Sequence, residues 1–391
     1  MNTAILHPIV QQFITDNLKS NITKLILRGS PFDNVSIQEL ANQIVAKQKS
    51  EQKLKIWFST KNIYYPAKIS IEQTSSEITA NYKSKLISGN SIIDITGGFG
   101  VDCLYFSKQF KNVIHCEINK DLSVIVKHNY QQLNVKNIVT VYNDGITFLK
   151  KIDTNFDCIY IDPSRRNDLK GKVFLLKDCL PNVPKNIDFL FTKTNHILLK
   201  NSPILDISSA ISELKFVKEI HIVAIKNEVK EVLLLLEKNY QKKIQIKTVN
   251  IQKEDVQKFN FELKEEVNSN YSEPLSYLYE PNAAILKSGG FHQISKQLDV
   301  FKLHQHSHLY TSAKLIDFPG RSFKIENVLN YDKKKLKKVL TDKKANITTR
   351  NFPKTVAQIR KETNIKDGGT TYIFFTTDQQ NNLKSIICSK R

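Results

Sequence analysis

The N-terminal stretch of the chain repeats apolar residues at roughly the spacing of one helix face: Ile9, Phe13, Leu18, Ile22 and Leu25. The segment SIQELANQIVAKQK adds a start signal. Ser36 is a candidate cap, and Glu39 stands where a reciprocal capping partner belongs. Pro66 in YYPAKIS interrupts the pattern, and EQTSSEITANYKSKL resumes it. From Ser91 onward short β-branched runs alternate with helical stretches. SIIDIT is followed by VDCLYFSKQF, NVIHCEI by DLSVIVKHNYQQL, IVTVY by GITFLKKI, and FDCIYID by GKVFLLKDCL. HILLK, LDISSAISEL and VKEIHIVAI continue the alternation. Such a pattern predicts βαβ units and a parallel sheet covered on both faces. KIQIKTVNI and FNFEL read as further strands of that sheet, while EVLLLLEKN fits helix or strand. Polarity rises around residues 265–275, and the remainder is more basic and mixed. The expected organisation is a helical region over 1–85, a doubly wound α/β domain over 86–268 and a small α/β domain over 269–391.

Composition narrows the class. With 391 residues, 40% hydrophobic and 25% charged, the chain suits a globular protein of more than one domain. No apolar run approaches the ~20 residues that span a bilayer, so no membrane association is expected. The N-terminus lacks a basic region followed by an apolar one, which predicts a cytoplasmic protein. Cys103, Cys116, Cys158, Cys179 and Cys388 are scattered and read as reduced thiols. The formal charge of +20 sets up a field that attracts polyanions. Most of that charge is lysine, and the chain is rich in Asn and Ile, so base composition of the gene is a competing source of it.

Within the strand–helix alternation, acids fall at strand ends. Asp94 closes the first strand, and Thr96, Gly97, Gly98 and Gly100 make the turn into the next helix. Glycines there let backbone approach a ligand closely. An acid just ahead of them would repel a phosphate and suits a ligand with a cationic amino-acid end. Glu117 closes the second strand, where a carboxylate can accept both hydroxyls of a ribose. Asn143 and Asp144 follow the third; Asp144 can meet an adenine amino group or simply cap a helix. Asp162 closes the fourth strand, followed by Pro163, Ser164, Arg165 and Arg166. Four acids in this order point to S-adenosylmethionine (SAM) as cofactor.

These residues resemble the class I SAM-dependent methyltransferases. Asp94 with Gly97, Gly98 and Gly100 is similar to that family's glycine-rich first motif, Glu117 to its ribose-binding acid and Asp144 to its adenine-contacting acid. Asp162-Pro163-Ser164-Arg165 resembles the fourth motif, at the substrate edge. EQTSSEITANYKS, DPSRR, KNSPILDI, NEVKE, EPNAAILKSGG and the series FPGRSF, TTRNFP, DGGTTYIF look like a bacterial group with a THUMP-like C-terminal domain. The resemblance implies a Rossmann-like methyltransferase domain and, through the THUMP-like part, an RNA substrate such as tRNA or rRNA. Asp162 would orient the acceptor, with Pro163 and Arg165 beside it at the reacting position. Arg165, Arg166 and Arg350 would hold substrate. An arginine stands where amine methyltransferases often carry an aromatic, a form similar to that of some RNA methyltransferases; it can stack on a base and pair with phosphate. A nitrogen acceptor is favoured, since attack by a ring carbon would need a cysteine, and Cys179 sits in an apolar run read as helical. The alternatives are the same chemistry on a protein or small molecule, or a non-catalytic RNA-binding protein. His304, His306 and His308 alternate as on one strand face, yet lack a carboxylate or cysteine partner in sequence, so no metal is expected. The lysines of KKKLKK, with Arg350, Arg360 and Lys361, make a basic C-terminal face suited to phosphate.

Overall fold

A computed structural model describes residues 1–165, 175–340 and 343–391, with Arg165 described through its backbone. The chain divides into two compact units. One comprises Met1–Lys218 with Leu233–Gln241, and the other Glu219–Val232 with Lys242–Arg391.

The first unit begins with helices, the longest over Ile37–Lys53. Its start is the reciprocal cap that the sequence announces. The Glu39 amide donates to Ser36 Oγ at 3.2 Å, and the Ser36 amide donates to Glu39 Oε2 at 2.9 Å. Two amide side chains hold YYP extended. Asn129 exchanges two hydrogen bonds with the backbone of Tyr64, and Gln43 does the same with Tyr65. The helical region is thereby tied to the strand-and-helix core of its own unit.

That core is a parallel sheet. Strand His196–Asn201 lies beside Cys158–Ile161, then Ser91–Asp94, Asn112–Glu117 and Ile138–Tyr142. The two central strands are buried almost throughout, as continuous apolar runs in a doubly covered sheet must be. Chain order reverses direction at Ser91–Asp94, so the carboxyl ends of this strand and Cys158–Ile161 flank the crevice where such sheets bind ligands.

Two expectations change and one open reading is resolved. Among the described residues the α-helix after the fourth strand is Val183–Lys193; of GKVFLLKDCL, the described part is a short 3-10 turn over Leu176–Asp178 and a strand over Cys179–Leu180. Asn182 caps it, accepting from the Lys185 amide, and Pro184 sits in the first turn, where a missing N–H costs nothing. Cys179 is therefore not helical. It lies in a short strand that pairs with Ser164–Arg165 and is fully buried. EVLLLLEKN resolves as strand, over Glu228–Glu237, with its leucines buried.

In the second unit, Val217–Ile225 and Gln245–Ile251 pair in parallel from Glu219 on, and Val256–Glu262 runs antiparallel to the latter. A separate seven-stranded sheet follows, antiparallel except for its last pair, Asn346–Arg350 with Thr371–Thr377. Alternation along Thr371–Thr377 serves two cores. Phe374 faces Leu278, Phe323 and Ile386, while Ile373 and Phe375 face Leu336 and Ile359. Leu336 is the buried anchor that seats the lysine-rich helix Lys333–Val339. The histidines do not share a strand face. His304 to His308 form a turn between Phe301–Lys302 and Tyr310–Ser312. His304 Nδ1 takes the His306 amide at 3.1 Å, and the His308 ring stacks on Phe291. No helix among the described residues is long and apolar enough to cross a membrane.

Candidate active site

The turn after the first strand is built from its hydrogen bonds. Asp94 is 2% exposed, and its Oδ1 accepts both the amide and the hydroxyl of Thr96, at 2.8 and 3.0 Å. The same hydroxyl accepts the Asp162 amide at 2.7 Å. Thr96 thus links the end of the first strand to the end of the fourth. Gly98 and Gly100 have φ of +56° and +79°, the left-handed region that glycine enters most readily. A Cβ on Gly97 would sit 2.4 Å from His115 Nε2, so the buried His115 ring is the floor of the turn.

Glu117 is 8% exposed and locked by the backbone. Oε2 accepts the Gly98 amide and Oε1 the Asn119 amide, both at 2.7 Å. Asn143 donates its own amide to the Glu117 carbonyl at 3.1 Å, and Asp144 Oδ1 caps the next helix by accepting the Thr147 amide at 2.8 Å. Asp94, Glu117, Asp144 and Asp162 therefore lie at the carboxyl ends of four neighbouring parallel strands.

Two features escaped sequence reasoning. The first is Lys200, whose Nζ lies 2.7 Å from Asp162 Oδ2. It stands one position past the register pair Ile161–Leu199, so both charged groups occupy the same level of adjacent strands. A lysine ending the apolar run HILLK was the available signal. The second is a buried charge cluster. Lys83 is wholly buried, with its ammonium 3.1 Å from Asp102 Oδ1, and Asp102 Oδ2 accepts the hydroxyls of Ser75 and Tyr160 at 2.8 Å each. Asp102 lies on the helix that Gly100 starts, so SSEITANYKSK braces the glycine turn from behind.

Electrostatics follow from burial. Removal from water pushes the Asp94 carboxyl up to about 7; the neighbouring Asp102 carboxylate adds to this, and the Thr96 hydrogen bonds oppose it. Burial holds His115 below its usual range, so it is a neutral ring under the turn.

Of the remaining expected residues, Pro163 is buried beside Asp162 and Ser164 is exposed. Arg166 and the Arg165 side chain lie outside the described residues. Arg350 belongs to the second unit, where it donates to Glu280 Oε1, at 2.7 Å from its closer nitrogen, while Arg321 holds Oε2. A groove of about 470 Å³ beside it is lined by Thr349, Asn351, Phe352, Pro353 and Thr377. Among the described residues no three His, Cys, Asp or Glu side chains gather as metal ligands would.

Superposed on the crystal structure of a candidate methyltransferase from Porphyromonas gingivalis W83, the chain aligns over 99% of its length and 98% of that chain, with a TM-score of 0.90 and 30% identity. The chain belongs to this methyltransferase family. Residues 277–319 of the methyltransferase match a ferredoxin-like domain model, and 320–390 a THUMP domain-like model. An uncharacterized RNA methyltransferase of Mycoplasma mobile is 28% identical over 97 residues, 25% of this chain and 27% of that one. The matched stretch is thus about a quarter of that relative's length.

Proposed function

We propose that this methyltransferase moves a methyl group from SAM to a base nitrogen in structured RNA, such as tRNA or rRNA, in the cytoplasm. The observation that carries the reading is the presetting of Glu117. Its two oxygens each accept one backbone amide, which leaves a lone pair on each for a ribose diol. The carboxylate therefore needs no reorganisation to bind a nucleoside.

The rest of the crevice fits SAM. A side chain at Gly98 would meet only the Thr96 carbonyl oxygen, at 3.7 Å, so a ligand can lie against its backbone. Asp144, one strand over, would be the acceptor for an adenine amino group. Asp94 offers negative charge behind the turn for a cationic amino-acid end. When bound, SAM supplies a methyl group made electrophilic by its sulfonium. The protein's task is then to align a nucleophile and exclude water, which is mostly proximity and orientation. Asp162 is placed to orient that nucleophile, with its backbone fixed by Thr96 and its carboxylate by Lys200. The +20 charge favours a polyanionic substrate, and both the THUMP-like match and the Mycoplasma mobile relative point to RNA.

The test is transfer of labelled methyl from SAM to total RNA from cells lacking this protein, with Asp162→Ala in parallel. Label in RNA with wild type and none with the variant supports the reading. No label in RNA, from protein that binds SAM, refutes it and leaves a protein or small molecule as acceptor.

A further inference from the structure

We infer that Lys200 is the second arm of the acceptor site, and that Asp162 and Lys200 together select a lactam edge: a ring N–H beside a carbonyl, as in guanine or uracil. The inference rests on the RNA reading above and specifies the acceptor.

The two groups present opposite hydrogen-bonding character side by side. Asp162 offers a carboxylate that accepts, and Lys200, 2.7 Å away, an ammonium that donates. They come from adjacent strands in register, so a planar ligand can meet both at once. Neither is sealed off, with side chains 31% and 15% exposed. The carboxylate is also anchored from its backbone side through Thr96, so an incoming base meets a fixed pair.

The chemistry separates acceptor classes. A lactam N–H gives its proton to the Asp162 carboxylate. The charge left behind spreads onto the neighbouring carbonyl oxygen, where the Lys200 ammonium stabilises it. The nitrogen pair then forms the N–CH₃ bond as the S–CH₃ bond breaks, with that bond's electrons staying on sulfur. Asp162 ends as a neutral acid and passes its proton to water, while Lys200 remains an ammonium throughout. An amidine edge, as in adenine or cytosine, is served badly by the same pair. There the ammonium would donate to the ring nitrogen and draw electron density from the exocyclic amine, making it a poorer nucleophile. An alkylammonium acceptor on a protein would meet Lys200 as a like charge, which disfavours its approach.

The experiment uses the full chain, RNA from cells lacking it and SAM labelled on the methyl group, followed by digestion to nucleosides. Label in a ring-nitrogen methylguanosine or methyluridine is expected. Label on a nitrogen of adenosine or cytidine overturns the lactam inference while leaving the RNA reading intact; label in the ribose overturns the base-nitrogen reading as well, and no label in RNA overturns both. Lys200→Met is expected to bind SAM as the wild type does and to lose about 100-fold in kcat/KM, comparable with loss of one preorganised donor. Its rate should rise with pH further than the wild type's, because the ring N–H must now ionise without an ammonium to stabilise the charge on its carbonyl oxygen. Lys200→Arg should recover part of the rate and the wild-type profile. A Lys200→Met enzyme that keeps the wild-type rate or pH profile overturns the role of Lys200. If Lys200→Met does not fold, the Lys200→Arg profile decides: a profile shifted from wild type despite the retained charge overturns it equally.

Discussion

Replacing Lys83 by methionine should be among the most damaging single changes outside the crevice. The Lys83 ammonium is fully buried, 3.1 Å from Asp102 and 2.8 Å from Ser75 Oγ. Methionine fills similar volume, so packing is largely kept and the electrostatic change dominates. Asp102, only 11% exposed, would be left charged with two neutral hydroxyls in place of a cation. Breaking a buried pair from one side costs about 3–5 kcal/mol, a large share of the roughly 5–15 kcal/mol that holds a domain together. The single tryptophan reports on this unit. Trp57 is buried, with its ring 6.0 Å from Phe99 in the glycine turn. Urea unfolding followed by its fluorescence should show the midpoint falling with little change of slope. Asp102→Asn alone should also cost several kcal/mol, by stranding the lysine. The double variant should cost less than the sum, with a coupling of about 2 kcal/mol or more. Because the helix bearing Asp102 starts at Gly100, SAM affinity should fall alongside stability. A Lys83→Met loss below about 1 kcal/mol, the range of exposed ion pairs, or simple additivity in the cycle, would refute the argument.

Three other outcomes follow from the crevice. Gly100→Ala should abolish SAM binding in calorimetry and lower the melting temperature, since φ of +79° costs an L-residue roughly 1–2 kcal/mol and its Cβ would lie 2.2 Å from the Tyr130 hydroxyl; Tyr130→Phe should not rescue it. Glu117→Ala should weaken SAM roughly 10- to 100-fold, the equivalent of 1.5–3 kcal/mol for charge-assisted hydrogen bonds, without preventing folding. Asp94, pushed up to about 7 from 3.8, contributes stability that is fully present below its ordinary value and is lost as pH rises through about 7. A cationic ligand favours the ionised form, so SAM affinity should run the other way and be about tenfold weaker near pH 6 than on its alkaline plateau; Asp94→Asn should flatten that difference, and a profile unchanged by the substitution would refute the linkage.

Much of the fold was legible because its signals are local. Ile92 and Ile93, or Cys158 to Ile161, announce buried strands by composition alone, and Ser36 with Glu39 announces a helix start. The turn glycines and the strand-end acids were legible for the same reason. What was not legible depends on partners far apart in the chain. Lys200 acquires a meaning only when the parallel register sets it against Asp162. Lys83 reads as a surface lysine in a helix until Asp102 is found beneath it. The histidine alternation misled because His304 accepts the His306 amide and curls into a turn, which spacing alone does not distinguish from a strand.

The shared carboxylate of Glu280 bears on how this protein can be cut and inherited. Glu280 is 4% exposed and lies within the segment matching the ferredoxin-like model, while Arg321 and Arg350, its two cations, lie within the THUMP-like one. The strand Tyr277–Pro281 also takes its ladder partner, Gly320–Asn330, from across that junction. A fragment ending at residue 319 would keep an interior acid with neither counter-ion and an open sheet edge. The two segments are therefore names for halves of a single folding module, and recombination between them would be selected against even though each half matches a model of its own.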